Sequence, residues 1–215
     1  MPVRVALALS AATAIAQVAA AATVTVDAER SADTVDVRAS AVLKNVDRAT
    51  AWRVLTAYER YVDFIPDLRS SRVVARHGSV VVVEQSGDAA LWLLRLPLSV
   101  TFEIRESPPD GLQSRAVAGS LRTLESCYAL TPVAQGLRLD YLGRVRPGLV
   151  LLGDLGQTVV EHNIARQFRA LADEIERQAA GARVAPPAAG DAAVPEHGAC
   201  DAFVLDPARR QVAKH

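Results

Sequence analysis

The strongest constraint on the fold is one long amphipathic stretch near the end of the chain, from about Asp154 to Ala180. Val160, Ile164, Phe168, Leu171 and Ile175 recur at spacings of four, four, three and four, the period of an α-helix. They form one apolar stripe, with Glu161, Arg169, Asp173, Glu176 and Arg177 on or near the opposite side. Burying each of these apolar side chains stabilises by about 1.5–3 kcal/mol, so the helix requires a partner surface. No second long helix exists to supply it, which leaves the short alternating segments upstream. Gln157 falls on the same stripe near its start, a polar group aimed where apolar ones are expected.

Val35 to Leu43 alternates apolar and polar and reads as a half-buried strand. Asn45 or Asp47 caps a helix running through Trp52 and Leu55 to Tyr58. A second short helix, Tyr61 to Ile65, must stop by Pro66, because proline disfavours helix at the residue before it. Leu68 to Arg76 and Ser79 to Gln85 are strands joined across His77-Gly78, a hairpin signal. Leu98 to Glu106 puts Val100, Phe102 and Ile104 on one face. After the turn Pro108-Pro109-Asp110-Gly111 come strands Leu112 to Val117, Leu121 to Thr131 and Leu137 to Arg146. In the last of these Leu137, Leu139, Tyr141 and Val145 share the inner parity. The expected class is therefore α+β: a curved antiparallel sheet of about seven strands wrapped around one long C-terminal helix, with two short helices after the first strand.

That order, with Val54, Tyr58, Tyr61, Phe64-Ile65-Pro66, Ser71 and Val73, resembles the START-like helix-grip (SRPBCC) superfamily. It is most similar to the coenzyme-Q-binding and polyketide cyclase/dehydrase-like branch, where a Tyr…Phe-Leu-Pro type segment precedes a strand carrying Ser and Val. Gly119, Leu121, Leu124, Tyr128, Leu130 and Pro132 resemble the family's sixth strand. The resemblance spans about residues 35–178. The chain departs from it at Asp67-Leu68, where Trp-Cys often follows the proline. The resemblance implies a cavity between sheet and helix that binds an apolar small molecule: a lipid, an isoprenoid quinone or a polyketide-like compound.

Parity and the helical stripe nominate Phe102, Tyr128, Leu139, Tyr141, Gln157, Val160, Ile164 and Phe168 as residues facing that space, although ordinary core is the plainer reading of any single one. Pockets are mostly apolar with a few placed polar groups, so Tyr128, Tyr141, Ser126 and Gln157 are the informative ones. Two apolar connections, Ala89 to Leu94 and Leu149 to Leu152, fall at the same end of an antiparallel meander. Trp92, Leu93, Val150 and Leu151 would there form a greasy rim that admits ligand or meets a membrane. Alternatively, Leu93 to Leu98 extends a strand and Leu149 to Leu152 folds inward as a plug.

Catalytic chemistry leaves little trace. No Ser or Cys has the context of an activated nucleophile, no paired carboxylates stand out, and no Cys/His spacing marks a metal site. No cofactor or metal is expected. His77, His162, His197 and His215 are scattered and read as solvated. Glu84 shares its strand face with Val80 and Val82, although a strand-end Glu reaching solvent is the plainer reading. Three functions fit: a carrier of lipid-like molecules, a cyclase or dehydrase, or an interaction module with a filled core.

The chain carries 24 basic and 24 acidic residues in 215. Zero net charge without a basic stripe excludes a nucleic-acid partner. Residues 1–22 combine Arg4, an Ala-rich apolar run from Val5 to Val18 and a small-residue ending. That is the pattern of a secretory signal, with cleavage expected between Ala20 and Ala22 and export to the periplasm or medium. The folded domain is expected over 34–180. Residues 181–215, rich in Ala, Pro and Gly, read as a disordered tail. A bridge between Cys127 and Cys200 is not expected, because nothing in that tail's composition fixes Cys200.

Overall fold

The computed structural model describes residues 22–91, 94–146, 154–181 and 200. Its strands are β1 (Thr23–Ser31), β2 (Thr34–Lys44), β3 (Leu68–His77), β4 (Val80–Leu91), β5 (Leu94–Ser107), β6 (Gly111–Gly119), β7 (Thr123–Val133) and β8 (Gly136–Arg146). They form one antiparallel sheet in the order β1-β2-β8-β7-β6-β5-β4-β3. Helix α1 (Arg48–Leu55) and a 3-10 helix (Tyr58–Asp63) follow β2, and α2 (Asp154–Gly181) follows β8. The α+β helix-grip layout is therefore as expected.

Alternation decides which face meets the helix. On β2, Val35, Val37, Ala39, Ala41 and Leu43 are all buried. Their register partners on β8, among them Leu137, Leu139, Tyr141 and Val145, are buried with them. Against this face α2 sets Phe168, Leu171, Ala172 and Ile175, each at most 2% exposed. Val54 and Leu55 of α1 close one end of the same core. Asp47, rather than Asn45, caps α1: its Oδ1 accepts from the Thr50 N–H at 2.7 Å. Asn45 instead adopts φ +56 in the turn before it.

Several expectations are corrected. The sheet has eight strands rather than seven, because Thr23–Ser31 pairs with β2 from Thr23↔Val42 to Ser31↔Thr34. Its Val24, Val26 and Ala28 pack against the core. The second short helix runs Tyr58–Asp63 and is 3-10, not Tyr61 to Ile65. Leu121 lies before β7, outside the strand. Ala89 to Leu91 is strand rather than loop, with the β4–β5 register continuing through Leu91↔Leu94; residues 92–93 and 147–153 lie outside those described. Glu84 points out of the grip, where Arg72 Nη2 donates to its Oε2 at 2.7 Å.

The largest correction concerns the cysteines. Cys127 and Cys200 are disulfide-bonded, with Cα atoms 5.6 Å apart across 73 residues of sequence. Cys127 faces away from α2, in a small cluster with Ala129 and Leu142 on the outer face of the sheet. Cys200 is only 6% exposed there. A covalent bond fixes what composition gave no reason to fix.

Candidate ligand cavity

The apolar stripe of α2 has two fates. Its C-terminal half is core, whereas Val160 and Ile164 are only half-buried because they face a cavity of about 460 Å3. Leu96 and Leu98 of β5 form one wall, and Leu121, Leu124 and Val145 another. Val159 and Val160 close it on the helix side, with Ile164 at their inner end. Exposed Ser120 and Gln167 mark its mouth. No titratable side chain lies among the described lining residues.

Asn163 makes the hairpin wall possible. The register of β3 on β4 ends at Leu68↔Gly87, so β4 beyond Gly87 has a free edge. Asn163 Nδ2 donates to the Ala90 carbonyl at 2.9 Å, and the Ala90 N–H donates to Asn163 Oδ1 at 3.0 Å. At the opposite edge of the sheet, Gln157 Nε2 donates to the Ala28 carbonyl of β1 at 2.9 Å. Two side-chain amides thus fasten α2 to both ends of the sheet, satisfying backbone groups that a bare edge would leave open.

Asp67 fastens the same corner by charge. It adopts φ +62, and Arg166 of α2 and Arg95 of β5 donate to its two carboxylate oxygens at 2.7 and 3.2 Å. Its carbonyl accepts from the Asp88 N–H at 2.9 Å. Gly87 is required beside it, since a Cβ there would run into the Asp67 carbonyl. The residue that breaks the family-like Pro-Trp-Cys pattern is a junction between three elements.

Below the cavity the grip is filled by aromatic rings. Tyr128 and Tyr141 pack with centroids 4.8 Å apart, and Tyr141 lies 6.4 Å from Phe168. Gly143 leaves the space its side chain would need to the Tyr141 phenol. Burial pushes the Tyr141 hydroxyl up to about 12, partly offset by its hydrogen bond with Ser126. Ser126 in turn shares a 2.7 Å hydrogen bond with Ser114. Tyr58 donates to Glu106 at 2.9 Å and Tyr61 to the Leu55 carbonyl at 2.6 Å. Burial raises both phenols above their ordinary value, Tyr58 further through Glu106.

Of the expected site residues, Val160 and Ile164 line the cavity. Leu139 and Phe168 are sealed core, Gln157 is engaged with β1, and Phe102, Tyr128 and Tyr141 face the interior below. Trp92, Leu93, Val150 and Leu151 lie outside the described residues. Sequence reasoning missed Asn163 and the continuation of β4 past Gly87, whereas the alternative that a strand extends back over Leu93 to Leu98 agrees with β5 from Leu94 onward. A second depression, also about 460 Å3, lies on the outer sheet face beside the disulfide, where Thr25, Arg38, Ser40 and Asp140 make it polar.

The sequence over residues 45–172 matches the family described as polyketide cyclase / dehydrase and lipid transport. The chain belongs to that family. No curated protein matches it by sequence. Solved structures share the family fold. TTHA0849 from Thermus thermophilus is 16% identical with a TM-score of 0.57, over 69% of this chain and 99% of that one. A STAR-related lipid transfer protein from Xanthomonas axonopodis is 14% identical with a TM-score of 0.60, over 71% and 93%. The Zhui aromatase/cyclase from Streptomyces sp. R1128 is 15% identical with a TM-score of 0.55, over 73% and 96%.

Proposed function

We propose that this protein binds and carries a hydrophobic small molecule, a lipid, isoprenoid quinone or polyketide-like compound, in the cavity between the β4–β5 hairpin and α2. The observation that carries this is the half-buried pair Val160 and Ile164. A helix that needed only a core would close on these side chains as it does on Phe168 and Ile175. The volume of about 460 Å3 holds roughly fifteen methylene-sized groups, at about 30 Å3 each, the share of one water in the liquid. That suits one acyl or prenyl chain, or a compact polycycle, better than a two-chain lipid. The absence of a titratable group among the described lining residues favours binding over turnover.

Export fits the same reading. The N-terminal pattern is that of a signal, and a disulfide is at home in an oxidising compartment. Apolar residues at the turn of the β4–β5 hairpin and in the β8–α2 connection supply a peripheral membrane contact for loading. Native mass spectrometry of protein purified from its own envelope fraction tests the proposal. A bound apolar mass that disappears in Ile164→Trp supports it; a ligand-free wild type, unable to take up any hydrophobic probe, refutes it.

A further inference from the structure

Asn163, Ser120 and Gln167 are the polar side chains among the described residues that line the cavity between the β4–β5 hairpin and α2. Asn163 is engaged in structure, since both atoms of its amide hold Ala90. The other two have capacity left. Ser120 is pinned to Ser99 of β5: its N–H donates to the Ser99 carbonyl at 2.8 Å, and its Oγ accepts from the Ser99 N–H at 3.1 Å. Gly119, at φ +118, allows this approach, because a Cβ there would run into the Ser99 carbonyl. A serine hydroxyl has one proton and two lone pairs, so Ser120 keeps a donor and an acceptor site in a fixed place. Gln167, one turn along α2 from Asn163, makes no hydrogen bond among the described residues. Its amide keeps two donors and a carbonyl.

Both residues are exposed, whereas Val159 is buried and Val160 and Ile164 are half-buried. Every other described lining residue is aliphatic. The cavity therefore has one polar end, and that end meets water. An oxygen carried deeper would lose its hydration with no partner to replace it, so a ligand's polar end belongs at the mouth. The cations beside that mouth are already engaged: Arg166, next to Gln167, and Arg95, next to Leu96, both bond Asp67. Arg122 follows Leu121 but is exposed and does not line the cavity. The groups left on the lining are uncharged, and they both donate and accept. A hydroxyl does the same.

We propose that Ser120 and Gln167 hold the hydroxyl end of a single-chain amphiphile at the cavity mouth, with its hydrocarbon chain directed inward over Val160 and Ile164. The assignment rests on the cavity-binding reading above and adds a head group and an orientation to it.

The test displaces the fluorescent reporter N-phenylnaphthylamine from the full-length, disulfide-intact protein with n-octanol, n-octane and octanoate. Ser120→Ala and Gln167→Ala should each weaken n-octanol about two- to tenfold, the range for one neutral hydrogen bond, without weakening n-octane. Both positions are exposed, so both variants should fold as the wild type does. Octanoate should bind more weakly than n-octanol. With n-octanol carrying carbon-13 at one end or the other, a soluble gadolinium chelate should relax the bound hydroxyl-bearing carbon and spare the terminal methyl. Equal or reversed relaxation overturns the orientation without recourse to any variant. Tighter binding of octanoate overturns the hydroxyl head. Binding of n-octanol and n-octane that neither variant alters removes Ser120 and Gln167 and leaves the cavity reading standing. A protein that takes up neither the reporter nor any of the three compounds removes the cavity reading itself.

Discussion

Asn163 on α2 holds the backbone of Ala90 on β4 as a neighbouring strand would, donating to its carbonyl and accepting from its N–H at 2.9 and 3.0 Å. The helix thereby completes the sheet at the one stretch of β4 that β3 does not reach. Asn163→Ala leaves both Ala90 groups without a partner, and each such loss costs about 1–3 kcal/mol when water cannot replace it. Denaturant unfolding should show a loss of about 2–6 kcal/mol if both groups stay dry, and less if water reaches one of them. Amide exchange at Ala90 should quicken more than at Val83, which stays paired in mid-sheet.

The stripe of α2 predicts a graded response. Phe168→Ala removes a sealed ring and should cost about 3–5 kcal/mol. Val160→Ala, facing open space, should cost about 1 kcal/mol or less, since there is little packing to lose. Thermal or denaturant unfolding of the two variants side by side reads the difference. Equal losses would place Val160 in a closed core.

Glu174 gives the protein an acid-sensitive joint. It is 5% exposed on α2. Two hydrogen bonds from Arg177, opposed by burial and aided by Gln178, hold its carboxyl below the ordinary range. A carboxyl depressed in the folded state stabilises above its unfolded value, about 4.3. That contribution is lost as pH falls through the folded value. The stability gap between wild type and Glu174→Gln should be full near neutrality and should close below about pH 4.

The helix and the sheet were legible because burial writes periods into sequence: 3.6 in Val160 to Ile175, two in Val35 to Leu43. The strand β1 carries the same period in Val24, Val26 and Ala28, but it abuts the apolar run of the expected signal, which masks it. Asn163 was invisible because its role depends on where β3 stops, a tertiary fact with no local signature. The β4–β5 extension was hidden by apolar residues on both parities, which blur the period of two that marks a half-buried strand. Asp67 was visible only as a departure from a pattern, and its purpose emerged once Arg95 and Arg166 converged on it.

The disulfide reverses an expectation about the tail. Truncation after Gly181, or Cys200→Ser, should destabilise by about 2–5 kcal/mol, the range for removing a native disulfide. Reduction of the wild type should match either variant. A silent truncation would mean that Cys127 gains nothing from its partner.

The greasy rim is open to direct test. If the proposed rim holds, Trp92→Ser with Leu151→Ser should lower binding to vesicles while leaving stability within about 0.5 kcal/mol, the usual range for a surface substitution. A collapse in stability, with no vesicle affinity to begin with, would make these side chains core.

Joined through Cys127 and Cys200, the polypeptide from β7 onward becomes a closed ring that contains β8 and the whole of α2. In the chain the helix follows β8, and residues 182–199 then lead to Cys200, whose partner lies on the sheet's outer face. The long helix is thus part of a covalent loop: once its contacts with the sheet are broken it stays within about 60 Å of Cys127, the reach of eighteen extended residues. The β4–β5 hairpin bears no such covalent tie; among the described residues its polar ties to the helix are Asn163, which bonds Ala90, and Asp67, which bridges Arg95 and Arg166. An oxidised protein therefore keeps α2 tethered to the sheet, whereas parting the hairpin from the helix breaks no covalent bond.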